Sequence, residues 1–333
     1  MNNELTSEIR KDPIVGRWVI IGKDKGYMPP IEEHIQRSEG VNCPFCAGAE
    51  DKTPPEIFSV KDSSGKWRIR VIPNKFPALV TEGNPDRSGI GIFDRMNGIG
   101  AHEVIIETPE HKKAISDLSK EEYTDVLKTY QARIRDLKKD ARFRYVLVFK
   151  NEGEKAGSSV EHSHSQLIAT PIIPKRVYEE INGSKFYFEY KKRCIFCDII
   201  QHDSKFFPER VVFQNDDFII LSPFAARFPF ETWILPKEHA SAFEDSSDAL
   251  LLSLSEAVLF LLVSLNRILG NPPYNIILHN SPLKNDCAEF YHWHLEIIPK
   301  IKTIAGFEWG TGFYINPLSP EEAGTYLKKG GEG

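Results

Sequence analysis

The 333-residue chain passes through one series of landmarks twice, and this duplication restricts it to folds built from two alike units. The first pass is Cys43-Pro-Phe-Cys46, Glu103 to His111, Tyr145 to Asn151, and His162-Ser-His164-Ser-Gln166. The second is Cys194-Ile-Phe-Cys197, Glu231 to His239, Tyr274 to Asn280, and His292-Trp-His294-Leu-Glu296. His162 follows His111 by 51 residues and His292 follows His239 by 53. Four landmarks in one order at matched spacing imply that the halves share a fold.

Each half carries a helix between its landmarks. Ser119-Lys-Glu-Glu122 is a capping box, and Tyr123, Val126, Leu127, Tyr130, Ile134 and Leu137 recur at helical spacing behind it. The second helix spans about 249 to 269 and stops at Gly270-Asn-Pro-Pro, a C-cap glycine followed by prolines. Both feed short β-branched or aromatic runs, Tyr145 to Phe149 and Ile276 to Leu278, and the His-x-His pairs continue into Leu167-Ile-Ala and Leu295-Glu-Ile-Ile. Each half therefore reads as an α+β domain, 1–175 and 190–333, with 171–192 as connector.

Composition excludes several classes. Hydrophobic residues at 41% and charged residues at 27% describe an ordinary globular chain. A net charge of −5, without a basic and aromatic stripe, argues against a nucleic-acid-binding zinc module or an anionic-lipid binder. The most apolar window, Ala249 to Val263, is interrupted by Ser253, Ser255 and Glu256 and reads as a buried helix, not a membrane span. The N-terminus has no secretory pattern, so a cytoplasmic location is expected. Five cysteines, an odd number, do not suit a disulfide framework.

Two thiolates and two imidazoles satisfy a tetrahedral zinc ion, and each half offers that set. The expected ligands are Cys43, Cys46, His111 and His162, then Cys194, Cys197, His239 and His292. Four protein ligands close the coordination shell, so both zincs would be structural. A competing set, His279, His292 and His294 with Glu180, would make a histidine-rich site instead. Cys287 has no counterpart in the first half and is treated as a core or surface thiol.

On a strand, His162, His164 and Gln166 share one side while Ser163 and Ser165 face the other. With His162 committed to metal, His164 keeps a free imidazole, a competent nucleophile toward phosphorus. A carbonyl accepting from its other ring nitrogen would fix the tautomer and aim the attacking lone pair outward. The preceding stretch Asn151 to Ser159 is small and polar, suited to bringing donors close to phosphate oxygens.

His-x-His-x-Gln after a Gly-Ser-Ser loop, with Cys-Pro-x-Cys upstream, resembles the galactose-1-phosphate uridylyltransferase family of the histidine-triad superfamily. The resemblance extends to Arg10-Lys-Asp-Pro-Ile-Val-Gly-Arg-Trp-Val-Ile, Val71 to Leu79, Phe149-Lys-Asn151 and Ile304 to Glu308. It implies a duplicated histidine-triad-like fold of two antiparallel-sheet units with packed helices, a homodimer, and double displacement through a nucleotidyl-histidine. It also implies His164 as nucleophile, with Gln166, Asn151 and Ser159 on the phosphates. Asn74, Lys75 and Phe76 would line the nucleoside pocket, and Lys302, Phe307 and Glu308 would hold the hexose.

The leading expectation is transfer of UMP from UDP-glucose to galactose 1-phosphate. Where the family has an Arg-x-x-Arg-Pro stretch this chain has Lys25-Gly-Tyr-Met28-Pro29, and serines flank His164 where prolines are common. The His-Ser-His-Ser-Gln form, the second Cys-x-x-Cys and Gly310 to Pro317 resemble the branch containing ADP-glucose:phosphate adenylyltransferases. Transfer of AMP from ADP-glucose to phosphate is thus the alternative. Glu296 replaces the glutamine in the second half, and the loop from Asn280 to Phe290 lacks glycines, so that half is expected to be a structural copy.

Overall fold

The computed structural model describes residues 7–22, 35–284 and 286–332, so the Lys25–Pro29 stretch lies outside the described residues. The chain opens with a hairpin of β1 (Ser7–Lys11) and β2 (Trp18–Gly22). The first half continues with β3 (Phe58–Lys61), β4 (Trp67–Pro73), the small hairpin β5 (Ser88–Ile90) and β6 (Phe93–Arg95), and β7 (Ala101–Ile106). Helix α1 (Lys120–Leu137), β8 (Tyr145–Glu152) and β9 (His164–Thr170) complete it. After α2 (Lys175–Lys191), the second half supplies α3 (Ile195–Phe206), β10 (Val211–Gln214), β11 (Phe218–Leu221) and β12 (Thr232–Pro236). Then follow α4 (Asp248–Leu269), β13 (Tyr274–His279), β14 (His294–Pro299), α5 (Gly306–Thr311), β15 (Tyr314–Asn316) and α6 (Pro320–Glu332).

Ten strands form a sheet in the order β10-β11-β12-β14-β13-β8-β9-β7-β4-β3. The order mirrors the repeat: β3, β4, β7, β9, β8 from one edge and β10, β11, β12, β14, β13 from the other. The two antiparallel units expected from the sequence are both present, and they are joined edge to edge where β8 pairs with β13. That seam matters for the site, because Asn275 of the second half stands opposite Asn151 of the first.

The two predicted helices pack against each other across the seam. Ser119 Oγ accepts from the Glu122 N–H while the Glu122 carboxylate accepts from the Ser119 N–H, the reciprocal capping that starts α1. Gly270, at φ +65°, ends α4 in the left-handed conformation that glycine tolerates best. Thr124 Oγ1 and Ser255 Oγ lie 2.9 Å apart between the helices. By length and composition α4 could cross a membrane, but Leu251, Leu254, Val258, Leu261, Leu265 and Leu269 are buried in the main core. Burial in the protein, not in lipid, explains its apolarity.

The expected connector is mostly helix α2, whose Val177, Glu180, Ile181 and Ser184 are buried at helical spacing. Two of those four are polar, so the stripe is faint in the sequence. Gly183 on this helix approaches the Ile14 carbonyl so closely that a Cβ there would lie 1.8 Å from the oxygen, which leaves room only for glycine. β15 pairs parallel with β2, which joins the last strand to the N-terminal hairpin in a second, three-stranded sheet.

Candidate active site

The cysteine loops and histidines converge as two clusters, Cys43–Cys46–His111–His162 and Cys194–Cys197–His239–His292, whose ligand atoms lie within 4.8 Å of one another. In the first, Nδ1 of His162 is 3.7 Å from Cys43 Sγ and 3.6 Å from Cys46 Sγ, and Nδ1 of His111 is 3.6 Å from Cys46 Sγ. In the second, the corresponding separations are 3.9 Å, 3.6 Å and 3.5 Å. His162 Nε2 donates to the Thr108 carbonyl, His239 Nε2 to Ala288 and His292 Nε2 to Pro236, at 2.7, 2.7 and 3.0 Å. A proton on Nε2 leaves the Nδ1 lone pair for a metal ion. His292 is therefore committed to the cysteine cluster, and the competing histidine-rich set loses a member.

The first cluster also shapes the strand beside it. Phe45, inside the Cys-Pro-Phe-Cys loop, presents its ring edge-on to His164 with centroids 5.4 Å apart. His164 is buried, and its Nδ1 donates to the His162 carbonyl at 2.8 Å. That bond fixes the tautomer and leaves the Nε2 lone pair as the nucleophilic one. Burial, reinforced by the Lys150 charge, holds His164 below the ordinary imidazole value, so the ring is neutral at pH 7.

Behind the strand lies a polar network with no forewarning in the sequence. Ser163 and Ser165 face away from the nucleophile, as expected, and both hydroxyls donate to Glu107. Lys150 donates to Glu107 at 2.8 Å and to the His164 carbonyl at 3.1 Å, and Tyr130 donates to Glu107 at 3.0 Å. Burial opposes the Glu107 charge, but Lys150 and the two serines outweigh it and hold the carboxyl below its usual range. The backbone at His164 is thus fastened to a buried, fully bonded ion pair.

On the front face, Gln166 Oε1 lies 2.8 Å from His102 Nε2 and 3.5 Å from Asn74 Nδ2. Extending the β8–β9 register, in which Phe149 faces Gln166, puts Asn151 opposite His164. His164, Gln166, Asn151 and Asn74 are therefore brought to neighbouring positions, with Gln166 and Asn74 joined through His102. Lys75 and Phe76 follow Asn74 at the surface, and Ser159 is exposed on the wall of a cavity of about 460 Å³ lined by the Gly153–Glu161 loop. The hexose set does not join them. Lys302 is paired with Glu308 at 3.3 Å, and their segment leads into β15, whose Asn316 donates to Ala226 of the second half.

The second half repeats the backbone of the site and alters its side chains. His294 Nδ1 donates to the His292 carbonyl at 3.1 Å, as in the first half. Opposite it stands His279, stacked on His294 with centroids 4.4 Å apart. The sequence landmarks pair Asn280 with Asn151, but the strand register places His279 there, a shift of one residue. Glu296 occupies the Gln166 position and is held charged by Arg227, Arg176 and His279, although burial opposes the charge. Cys287 is buried against Tyr145, Val177, Ile181 and Tyr291, a core thiol.

A duplicated sheet with a His-x-His strand and a Cys₂His₂ cluster in each half defines a histidine-triad-like protein of the double type. A family model of the galactose-1-phosphate uridyl transferase N-terminal domain matches residues 3–174, and one of a domain of unknown function matches 100–328. ADP-glucose phosphorylase of Arabidopsis thaliana is 37% identical, over 97% of this chain and 92% of its own. Galactose-1-phosphate uridylyltransferase of Thermotoga maritima is 28% identical over 97% of this chain and 98% of its own. A crystal structure of the Arabidopsis phosphorylase with bound ADP-glucose superposes with a TM-score of 0.85 at 34% identity, covering 97% of this chain and 99% of that one. A uridylyltransferase structure superposes with a TM-score of 0.77 at 29% identity, covering 98% of each chain. The chain belongs to the galactose-1-phosphate uridylyltransferase and ADP-glucose phosphorylase family.

Proposed function

We propose that this protein transfers an adenylyl group from ADP-glucose to inorganic phosphate, in place of the uridylyl transfer to galactose 1-phosphate that leads the sequence reading. The carrying observation is His164, neutral, with Nδ1 bonded to the His162 carbonyl and Nε2 left to attack. His164 Nε2 bonds to the α-phosphorus, the bond from that phosphorus to the bridging oxygen breaks, and glucose 1-phosphate leaves. A phosphate oxygen then attacks the same phosphorus, the P–N bond breaks, and ADP is released. Gln166, Asn151 and Ser159 would bind the phosphates, and Asn74, Lys75 and Phe76 the nucleoside. The 37% identity to a phosphorylase, against 28% to a uridylyltransferase, supports the adenine donor.

Lys302, Phe307 and Glu308 would hold the hexose. In a homodimer a second copy of the chain would present them to His164. Both cysteine clusters would hold structural zinc. Zn–S and Zn–N bonds of about 2.3 and 2.0 Å at tetrahedral angles require S···N edges of about 3.5 Å, close to the separations in both clusters. With four protein ligands each ion ties its loop to a His-x-His strand and leaves no position for substrate.

Intact-mass measurement after mixing with ADP-glucose or UDP-glucose, without acceptor, tests the reading. An acid-labile adenylyl adduct that phosphate discharges as ADP is expected. A uridylyl adduct discharged by galactose 1-phosphate, with no adenylyl adduct, would overturn it.

A further inference from the structure

The two amides beside His164 are each oriented by a chain of hydrogen bonds that starts at a main-chain group, whose role as donor or acceptor cannot change. The first chain starts at the Ala78 N–H, which can only donate, and it does so to His102 Nδ1 at 3.1 Å. A neutral His102 accepting at Nδ1 must carry its proton on Nε2. That N–H faces Gln166 at 2.8 Å, so the Gln166 atom there is the carbonyl oxygen. Asn74 Oδ1 accepts from the Phe76 N–H at 2.9 Å, which turns its NH₂ toward this pair, 3.0 Å from His102 Nε2 and 3.5 Å from the Gln166 oxygen; it is the Ala78 N–H that leaves Nε2 as the protonated nitrogen.

The second chain starts at the Ala156 carbonyl, which can only accept. Asn275 Nδ2 donates to it at 2.9 Å, and the same NH₂ lies 2.8 Å from Asn151. The Asn151 atom facing it is therefore Oδ1, and the Asn151 NH₂ points away from the seam. A Cβ built on Gly157 would lie 3.5 Å from that nitrogen, so it faces the glycine-containing loop. Neither the Gln166 NH₂ nor the Asn151 NH₂ has a hydrogen-bond partner among the described residues.

We infer that His102 and Asn275 are positioning residues for nucleotidyl transfer, clamping the oxygens of Gln166 and Asn151 so that both NH₂ groups converge on the phosphate that His164 attacks. Free amides flip between two nearly isosteric orientations, one of which points an oxygen at an anionic phosphate. The clamps remove that orientation before substrate arrives, which is electrostatic preorganisation. Asn275 lies on β13, so the second half is more than a copy: it supplies one of the two clamps.

This inference rests on the transfer proposed at His164, and a double-mutant cycle on adduct formation tests it. His102→Phe and Asn275→Ala should each slow the step about ten- to a hundredfold, less than the ~10²- to 10³-fold typical of deleting an oxyanion donor outright. His102→Gln, which keeps a donor, should restore most of the rate. In a Gln166→Ala background His102→Phe should cost nothing further, and in an Asn151→Ala background neither should Asn275→Ala. Additive losses would overturn the inference, because a merely structural role acts whether or not the amide is present. An NMR readout independent of turnover uses ¹⁵N-histidine-labelled protein, with the His102 signal assigned by its disappearance in His102→Gln. The Nε2–H tautomer is expected, and an Nδ1–H tautomer or an imidazolium would overturn the His102 clamp even if no donor sugar reacts.

Discussion

His164 and His294 occupy equivalent strand positions, each with Nδ1 bonded to the carbonyl two residues before it, at 2.8 and 3.1 Å. Backbone geometry therefore does not distinguish a nucleophile from a structural histidine. The neighbours do. His164 has two neutral amides beside it, Asn151 and Gln166, with free donors. His294 has the stacked His279 and the charged Glu296, whose partners are already inside the protein. A phosphate entering the second site would meet a carboxylate and a sealed ring stack. The two halves share the scaffold, and they differ in the side chains beside the histidine.

The largest expected effect comes from breaking the pair at its centre. His164→Ala should lower turnover about 10⁴-fold or more, as loss of a covalent nucleophile does, with both metals retained by elemental analysis. His294→Ala should keep turnover within about tenfold of the unmodified protein. Equal losses from the two would show that the halves share the chemistry.

Making the first site resemble the second is the next test. Gln166→Glu exchanges a donor for an anion and should slow adduct formation about 10²-fold or more, with a smaller change in donor KM. The converse change, Glu296→Gln with His279→Asn, should not yield an adduct on His294 by peptide mapping, because the Gly-containing loop is missing there.

Metal removal compares the two clusters. Cys46→Ser and Cys197→Ser should each release one equivalent of metal. Only the first should also abolish adduct formation, because Phe45 in its loop touches His164.

The smallest effect concerns pH and stability. Burial opposes charge on His279, but Glu180 and Glu296 outweigh it and push its value up to about 9. The folded value lies above the unfolded one of about 6.5, so this stabilisation is full below pH 6.5 and is lost as pH rises toward 9. The shift corresponds to roughly 3 kcal/mol. Chemical denaturation between pH 6 and 9.5 should show that decline, and His279→Gln should flatten it.

Most of the metal centres could be read in advance, because Cys-x-x-Cys and histidine landmarks repeated in register leave few other roles for those side chains. His164 and Gln166 were legible through strand alternation, and helices α1 and α4 through caps and apolar spacing. Helix α2 was not, since half its buried face is polar and Glu180 finds its partner, His279, 99 residues further along the chain. His102 and Asn275 carried no signal either. Each is a polar residue on an ordinary strand, and its role depends on which amide faces it across the sheet.

The sequence by itself determined the duplication, the two Cys₂His₂ clusters, the two core helices and the strand position of His164, because each is written in local spacing that physical chemistry reads without knowing the fold. Only the tertiary structure decided that the two sheets join at β8 and β13, that His279 and not Asn280 stands opposite His294, and that β15, which follows the hexose segment, pairs with β2. Those facts depend on strand register and edge pairing. A one-residue slip changes which side chain faces a catalytic ring, and that choice is made by long-range packing, which no local motif records.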